Sequence, residues 1–158
     1  MAPAAGRRRR YDPRMAPGLS IDDEGRFRVH GEPVTHERTL EVLWRGLSAG
    51  PDGGWQVRIG RESAPVAVDG TPFVVVAVPE DGGGATLVLA GGAREPLLPE
   101  TLRVGRDGRL RATLASGHDA RFSRSAQIAL GMRLVEDPSA PGGFRLPLGG
   151  KDWPLGAE

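Results

Sequence analysis

The chain reads as a β-rich α+β protein: two small antiparallel-sheet domains, each with one helix, related by internal duplication. Three observations predict this. Short segments of alternating polarity recur between turns rich in glycine and proline, which together number 38 of 158 residues. Only two stretches keep helical spacing. Three short pieces of the first half return in the same order in the second, with offsets of 83, about 87 and 89 residues.

Taken in order, residues 1–18 mix Arg, Pro, Ala and Gly without hydrophobic period and read as a disordered basic tail. The first domain is expected over 19–92. Gly25-Arg26-Phe27-Arg28-Val29 alternates as a half-buried strand, after a turn at Asp22, Asp23 and Glu24. Thr35 is placed to cap a helix, Glu37 suits its first turn, and Leu40, Leu43, Trp44 and Leu47 line one face. Gly50-Pro51-Asp52-Gly53-Gly54 ends it. Trp55, Val57 and Ile59 then alternate, Val66 and Val68 continue the pattern, and Phe73 to Val78 is apolar throughout, as in a strand covered on both faces. Gly82-Gly83-Gly84 turns into a second strand at Thr86 to Leu89.

The second domain is expected over 93–158. Gly108-Arg109-Leu110-Arg111 repeats Gly25-Arg26-Phe27-Arg28 with one apolar exchange. A helix capped by Asp119 or Ser123 should follow, with Phe122, Ala126, Ala129, Leu130 and Leu134 on one face, ended by Pro138. Gly142-Gly143-Phe144-Arg145-Leu146-Pro147-Leu148-Gly149 then mirrors Gly53-Gly54-Trp55-Gln56-Val57-Arg58-Ile59-Gly60.

Composition narrows the function. With no cysteine there are no disulfides, thiolate metal sites or thiol nucleophiles. No apolar run approaches the roughly 20 residues of a membrane helix, and no apolar segment follows the N-terminal arginines, so the expected location is cytoplasmic. The first fourteen residues carry a net +4 and the rest −3, which argues against nucleic-acid binding by the folded part. Arg7 to Arg10 could hold phosphates weakly; a solvated tail is the commoner meaning of such a run.

Familiar motifs fail on context. Gly46-Leu47-Ser48-Ala49-Gly50 has the spacing of a nucleophile elbow, but Ser48 follows a helix instead of linking a strand to one. The Gly82 to Gly84 run opens no helix, and Lys151 after Gly149-Gly150 is followed by Asp152, so neither cradles phosphate as a dinucleotide or P-loop does. His30, His36 and His118 lack the spacing of a metal set. Glu80-Asp81 and Glu136-Asp137 sit in turns, where solvation explains them. No catalytic residue, metal or cofactor is assigned. Arg121 and Arg124, read as one turn apart at the start of the second helix, are the best anion ligands; the alternative is a pair of exposed helix charges.

Val68-Asp69-Gly70-Thr71-Pro72-Phe73, Gly31-Glu32-Pro33-Val34, Ala120-Arg121-Phe122-Ser123-Arg124 and the closing Trp153-Pro154-Leu155-Gly156 resemble a bacterial family known as domain of unknown function 1285. The resemblance spans about Leu19 to Gly156. Gln127-Ile128, where the family tends to place aromatics, and a short strand-to-helix link depart from it, and the arginine tail lies outside. It implies a duplicated two-domain fold whose C-terminal half is loosely like a pleckstrin-homology barrel, with a nucleotide-like ligand between the halves and a signalling role. Arg121, Arg124, Asp69 and Trp55 are chemically suited to the phosphate, ribose or amine, and base of such a ligand. The expectation is a non-catalytic ligand-binding or regulatory protein, with homodimerisation compatible with it. The rivals are a protein-interaction or structural module without a small ligand, and an enzyme with no recognisable motif.

Overall fold

Alternation in a strand sorts side chains onto two faces, and in this β-rich α+β chain it does so around two separate apolar clusters. The computed structural model describes residues 18–158. Apart from Gly18, the segment expected to form a basic tail lies outside the described residues. The chain divides between Gly70 and Thr71 into two units.

In the first unit, β1 (Leu19–Ile21), β2 (Phe27–Val29) and β3 (Glu32–Pro33) precede helix α1 (Glu37–Gly46). β4 (Leu47–Ala49), β5 (Trp55–Ile59) and β6 (Glu62–Val68) follow. The sheet order is β3-β2-β1-β6-β5-β4, antiparallel except where β1 and β6 run parallel, Ser20 opposite Ala67 and Ile21 opposite Val68. Its core holds Leu19, Ile21, Phe27, Leu43, Val57 and Val66, with Phe27 edge-on to Trp44 at 4.6 Å between ring centroids. The expected cap moves by one residue: the His36 ring, not Thr35, accepts from the Thr39 amide (3.4 Å). The helix also ends earlier than expected, because Gly46 packs so closely on the Arg58 carbonyl that no side chain fits there. Leu47 then starts β4 instead of completing the helical stripe.

In the second unit, β7 (Val74–Ala77), β8 (Glu80–Asp81), β9 (Gly84–Leu89), β10 (Arg94–Pro96) and a 3-10 turn at Pro99–Thr101 come first. β11 (Arg103–Val104), β12 (Leu110–Thr113) and β13 (Asp119–Phe122) lead into α2 (Arg124–Gly131). β14 (Val135–Glu136), β15 (Phe144–Leu148), β16 (Lys151–Pro154) and β17 (Gly156–Ala157) complete the chain. The eight-stranded sheet has the order β10-β9-β7-β13-β12-β11-β17, with β8 paired to β9; β7/β13 and β11/β17 are its parallel pairs. A separate antiparallel sheet joins β14, β15 and β16. Val75, Leu87, Leu102, Leu114, Phe122, Leu130, Leu146 and Leu155 centre the core.

This places the division well before the expected one at 92/93. Gly91-Gly92 is a hairpin turn between β9 and β10, and β7, the apolar strand before it, hydrogen-bonds β13. Val74 and Val75 are both fully buried, so β7 begins covered on both faces as its composition predicts, while Val76 and Ala77 emerge. No helix among the described residues is long and apolar enough to cross a membrane, which says nothing about a β-barrel.

Candidate functional site

Leu110, Ala112, Ala120 and Phe122 point from β12 and β13 into the core. Their neighbours in sequence must therefore point to the opposite face. There the register sets Arg103 of β11 opposite Arg111 of β12, and Arg111 opposite Arg121 of β13. Directly opposed side chains share a face, so three arginine side chains leave one face of three adjacent strands.

Like charges this close repel, and acids from the adjoining turn, from β13 and from the residue after β17 offset them. Arg103 donates from Nη2 to Asp119 Oδ1 (2.8 Å), from Nε to Glu158 Oε1 (3.0 Å), and from Nη1 to the Thr101 carbonyl (3.2 Å) and Thr113 hydroxyl (3.3 Å). Burial works to lower the Arg103 pKa, but the hydrogen bonds to Glu158 and Asp119 outweigh it and hold the group above its ordinary value. Arg111 Nη2 donates to Asp107 Oδ2 (3.3 Å), and its Nε lies 3.7 Å from Glu158 Oε2. That Nε is buried and meets no hydrogen-bond acceptor among the described residues. Gly105 explains how it lies so deep, since a Cβ there would sit 2.7 Å from it. Asp107 is held below its usual carboxylate range, chiefly by the hydrogen bond from the Arg109 amide.

The sequence-predicted residues fall differently from expectation. Arg121 is not on the helix: it lies in β13, its amide donating to the Phe73 carbonyl (3.1 Å), and its side chain is 6% exposed. Arg124 opens α2 and is exposed. The pair one turn apart on one helix is thus corrected, because the pairing of Thr113 with Asp119 and of Phe122 with Val75 keeps the segment extended up to Ser123. Ser123, one of the two expected caps, accepts from the Ala126 amide (3.2 Å); Asp119 is a strand residue. Trp55, half-buried at the start of β5, packs on the first unit's core, and exposed Asp69 follows the end of β6. Trp55 and Asp69 therefore belong to one unit, Arg121 and Arg124 to the other.

Arg103, Arg111 and Glu158 were not singled out from sequence. Arginines alternating with leucine in Arg109-Leu110-Arg111 signal an outward polar face, but nothing local tells which strands lie beside it.

The other motifs have structural roles. Ser48 is on a strand that follows a helix, and the Gly149-Gly150 pair is the two-residue turn between β15 and β16. That turn meets the Gly82 to Gly84 turn in an open groove of about 460 Å³ lined by Glu80, Asp81, Lys151 and Asp152, of which Glu80 pairs with Arg133 (3.0 Å) and Asp152 with Arg145 (3.4 Å). His36 caps α1, His118 stacks on Phe73, and His30 sits in a turn at φ 50°. No group of three or more His, Asp or Glu that could hold a metal occurs among the described residues.

No family model matches the chain, and no curated protein matches it. Two solved structures are similar. One, a DUF1285 family protein from Silicibacter pomeroyi DSS-3, aligns with a TM-score of 0.64 at 19% identity over 89% of this chain and 80% of its own. The other, a DUF1285 family protein from Shewanella baltica OS155, aligns with a TM-score of 0.54 at 13% identity over 73% of this chain and 91% of its own. The motifs that resemble that family in sequence therefore sit on its fold: this chain is folded as the DUF1285 family proteins are.

Proposed function

We propose that this is a non-catalytic ligand-binding or regulatory protein that takes a nucleotide-like or other anionic ligand on the arginine face of its second unit. The observation that carries the reading is the in-register row of Arg103, Arg111 and Arg121. Planar guanidinium forks side by side match the oxygens of a phosphate, and charge-assisted bonds to them are stronger than neutral ones. The burial of Arg121 supports this reading over an ordinary solvated charge at that position.

We also infer that residues 19–68 and 103–157 are copies of one motif, three strands, a helix and three further strands, the last of which is continuous in the first copy (β6) and split in the second (β16 and β17). Matching registers support it. Ser20 faces Arg28 and Ala67 as Arg103 faces Arg111 and Gly156; Val57 faces Ala64 as Leu146 faces Trp153; two-residue turns follow Ile59 and Leu148 alike. In this reading β7 to β10 are an insertion that extends the second sheet through β13. Ser20 stands where the second copy has Arg103, so the arginine row belongs to one copy alone.

The test is a thermal-shift titration with nucleotides and inorganic phosphate. A ligand that binds the native state raises the melting temperature by mass action, so the shift must grow with concentration. Arg111→Ala and Arg121→Ala should each reduce it and Arg106→Ala, in the exposed β11–β12 turn, should not; Arg121→Lys, which fills the buried site better, separates lost binding from lost folding. If no anion stabilises the protein, or both arginines prove dispensable for one that does, the reading fails.

A further inference from the structure

We infer that Arg103 and Arg111 form a phosphate subsite that the Glu158 carboxylate occupies in the ligand-free protein and vacates when a phosphate binds. The inference rests on the arginine face being an anion site and names the place and the occupant. Glu158 offers one oxygen to each of two arginines, Oε1 to Arg103 Nε at 3.0 Å and Oε2 to Arg111 Nε at 3.7 Å. That is how two oxygens of a phosphate would bridge two guanidinium groups.

The bridge is incomplete on one side. At 3.7 Å the second oxygen is too far to accept a hydrogen bond, and Arg111 Nε has no other acceptor among the described residues. A buried donor without a protein acceptor is uncommon, and this one has its hydrogen-bonding capacity to give to a water or an anion oxygen. A phosphate has oxygens at wider spacing than a carboxylate and a further charge, so it could satisfy both Nε groups together.

Position also favours displacement. The Glu158 amide donates to the Val104 carbonyl (3.1 Å), continuing the β17–β11 pairing, so the backbone is held while the side chain, 37% exposed, can swing to water. Gly156, opposite Arg103, places no side chain along that edge of the row. Ion pairs with this much exposure are individually weak, so exchanging a carboxylate for phosphate meets little resistance.

Calorimetric titration of the full chain with inorganic phosphate, a nucleoside monophosphate and the unphosphorylated nucleoside tests this. Glu158→Gln, which keeps size and removes the charge, should tighten phosphate binding about two- to fivefold, the scale of a partly exposed ion pair. Glu158→Ala should do the same, and Arg111→Gln in the Glu158→Gln background should remove the gain. Tightening for the monophosphate but not the nucleoside identifies the phosphate group as the occupant; tightening for inorganic phosphate alone assigns the subsite to the free ion. A purely structural Glu158 would lower the melting temperature of both variants and leave phosphate affinity unchanged. That result, with the wild type still binding a nucleotide through Arg121, overturns the subsite alone, whereas absence of anion binding in every variant overturns the wider reading with it.

Discussion

The β1–β2 hairpin and the β11–β12 hairpin share register and turn hydrogen bonds, yet they handle charge in opposite ways. In the first, the Asp22 amide donates to the Arg26 carbonyl and the Gly25 amide to Asp22; in the second, Gly105 and Gly108 repeat both bonds. Gly25 and Gly108 sit at φ 81° and 80°, a left-handed geometry glycine adopts without strain. In the first turn Asp22 gathers four donors: the amides of Glu24 and Arg26 and the Nε groups of Arg26 and Arg28. In the second, the acid stands two positions later, at Asp107, and the vacated place is Gly105, against which Arg111 Nε lies. The first hairpin closes its charges within a few residues of sequence. The second pairs Arg111 locally with exposed Asp107 but leaves Arg103 to Asp119 of β13 and Glu158 after β17, and a network assembled from distant segments is one a ligand can compete for.

The largest effect expected from breaking the comparison is in the cores behind the turns. Phe27 and Leu110 occupy matching places, opposite Ile21 and Val104, and both are buried. Phe27→Ala should cost about 3–5 kcal/mol and Leu110→Ala about 2–4 kcal/mol, read by urea unfolding. Because Phe27 lies against Trp44, the first variant should also shift tryptophan emission in the native baseline. Reversed costs would mean that the two positions are not equivalent.

The helix ends give the next contrast. Gly46 and Gly131 are each the last residue of their helix. A side chain at 46 would collide with the Arg58 backbone, while one at 131 meets nothing within 4 Å. Gly46→Ala should therefore destabilise by about 1–3 kcal/mol through overpacking, and Gly131→Ala should be neutral or stabilise by up to about 1 kcal/mol. Thermal melts of the two variants decide it, and equal losses would refute the close approach at Arg58.

These pairs also show what could be read beforehand. The strands at Phe27, Val57, Leu110 and Leu146 and the helix stripe of Leu40, Leu43 and Trp44 follow from alternation and helical spacing, because local sequence determines which face is buried. The parallel pairings β1/β6, β7/β13 and β11/β17 join segments far apart in the chain, and no local pattern encodes them. For that reason Asp119 to Phe122, whose spacing to Ala126 and Leu130 also suits a helix, forms a strand between β12 and β7. The boundary shifted for the same cause. Of the candidate site, Arg121 was legible as a residue type that grips anions, while its burial and its row with Arg103 and Arg111 depended on register.

Acid should expose the first hairpin's clamp. Burial works to raise the Asp22 carboxyl, but the hydrogen bonds from the Arg26 amide, the Arg28 side chain and the Glu24 amide outweigh it, so its folded pKa lies below the ordinary value. A carboxyl lowered by folding stabilises the native state above its unfolded pKa of about 4 and ceases to do so as pH falls through the folded one. Asp22→Asn should cost about 1–3 kcal/mol at pH 7 and flatten the fall in melting temperature between about pH 4 and 2. If the variant melts with the wild-type acid slope, the clamp is not what acid releases.

Asp107→Asn is the smallest effect and the closest control. Its carboxyl is lowered too, first by the Arg109 amide, so its stabilisation has the same sign and the same acid limb. It binds one amide, at 3.1 Å, and one Arg111 nitrogen, at 3.3 Å, where Asp22 binds four donors. Its side chain is 48% exposed against 16% for Asp22, so water and salt screen what it contributes. The loss at pH 7 should stay below about 1 kcal/mol and shrink further in salt, while the Asp22→Asn loss persists. Melting both variants at low and high ionic strength separates the cases. A salt-resistant Asp107→Asn loss as large as that of Asp22→Asn would show that the second hairpin is clamped locally after all, and would leave Glu158 with little charge of the row to balance.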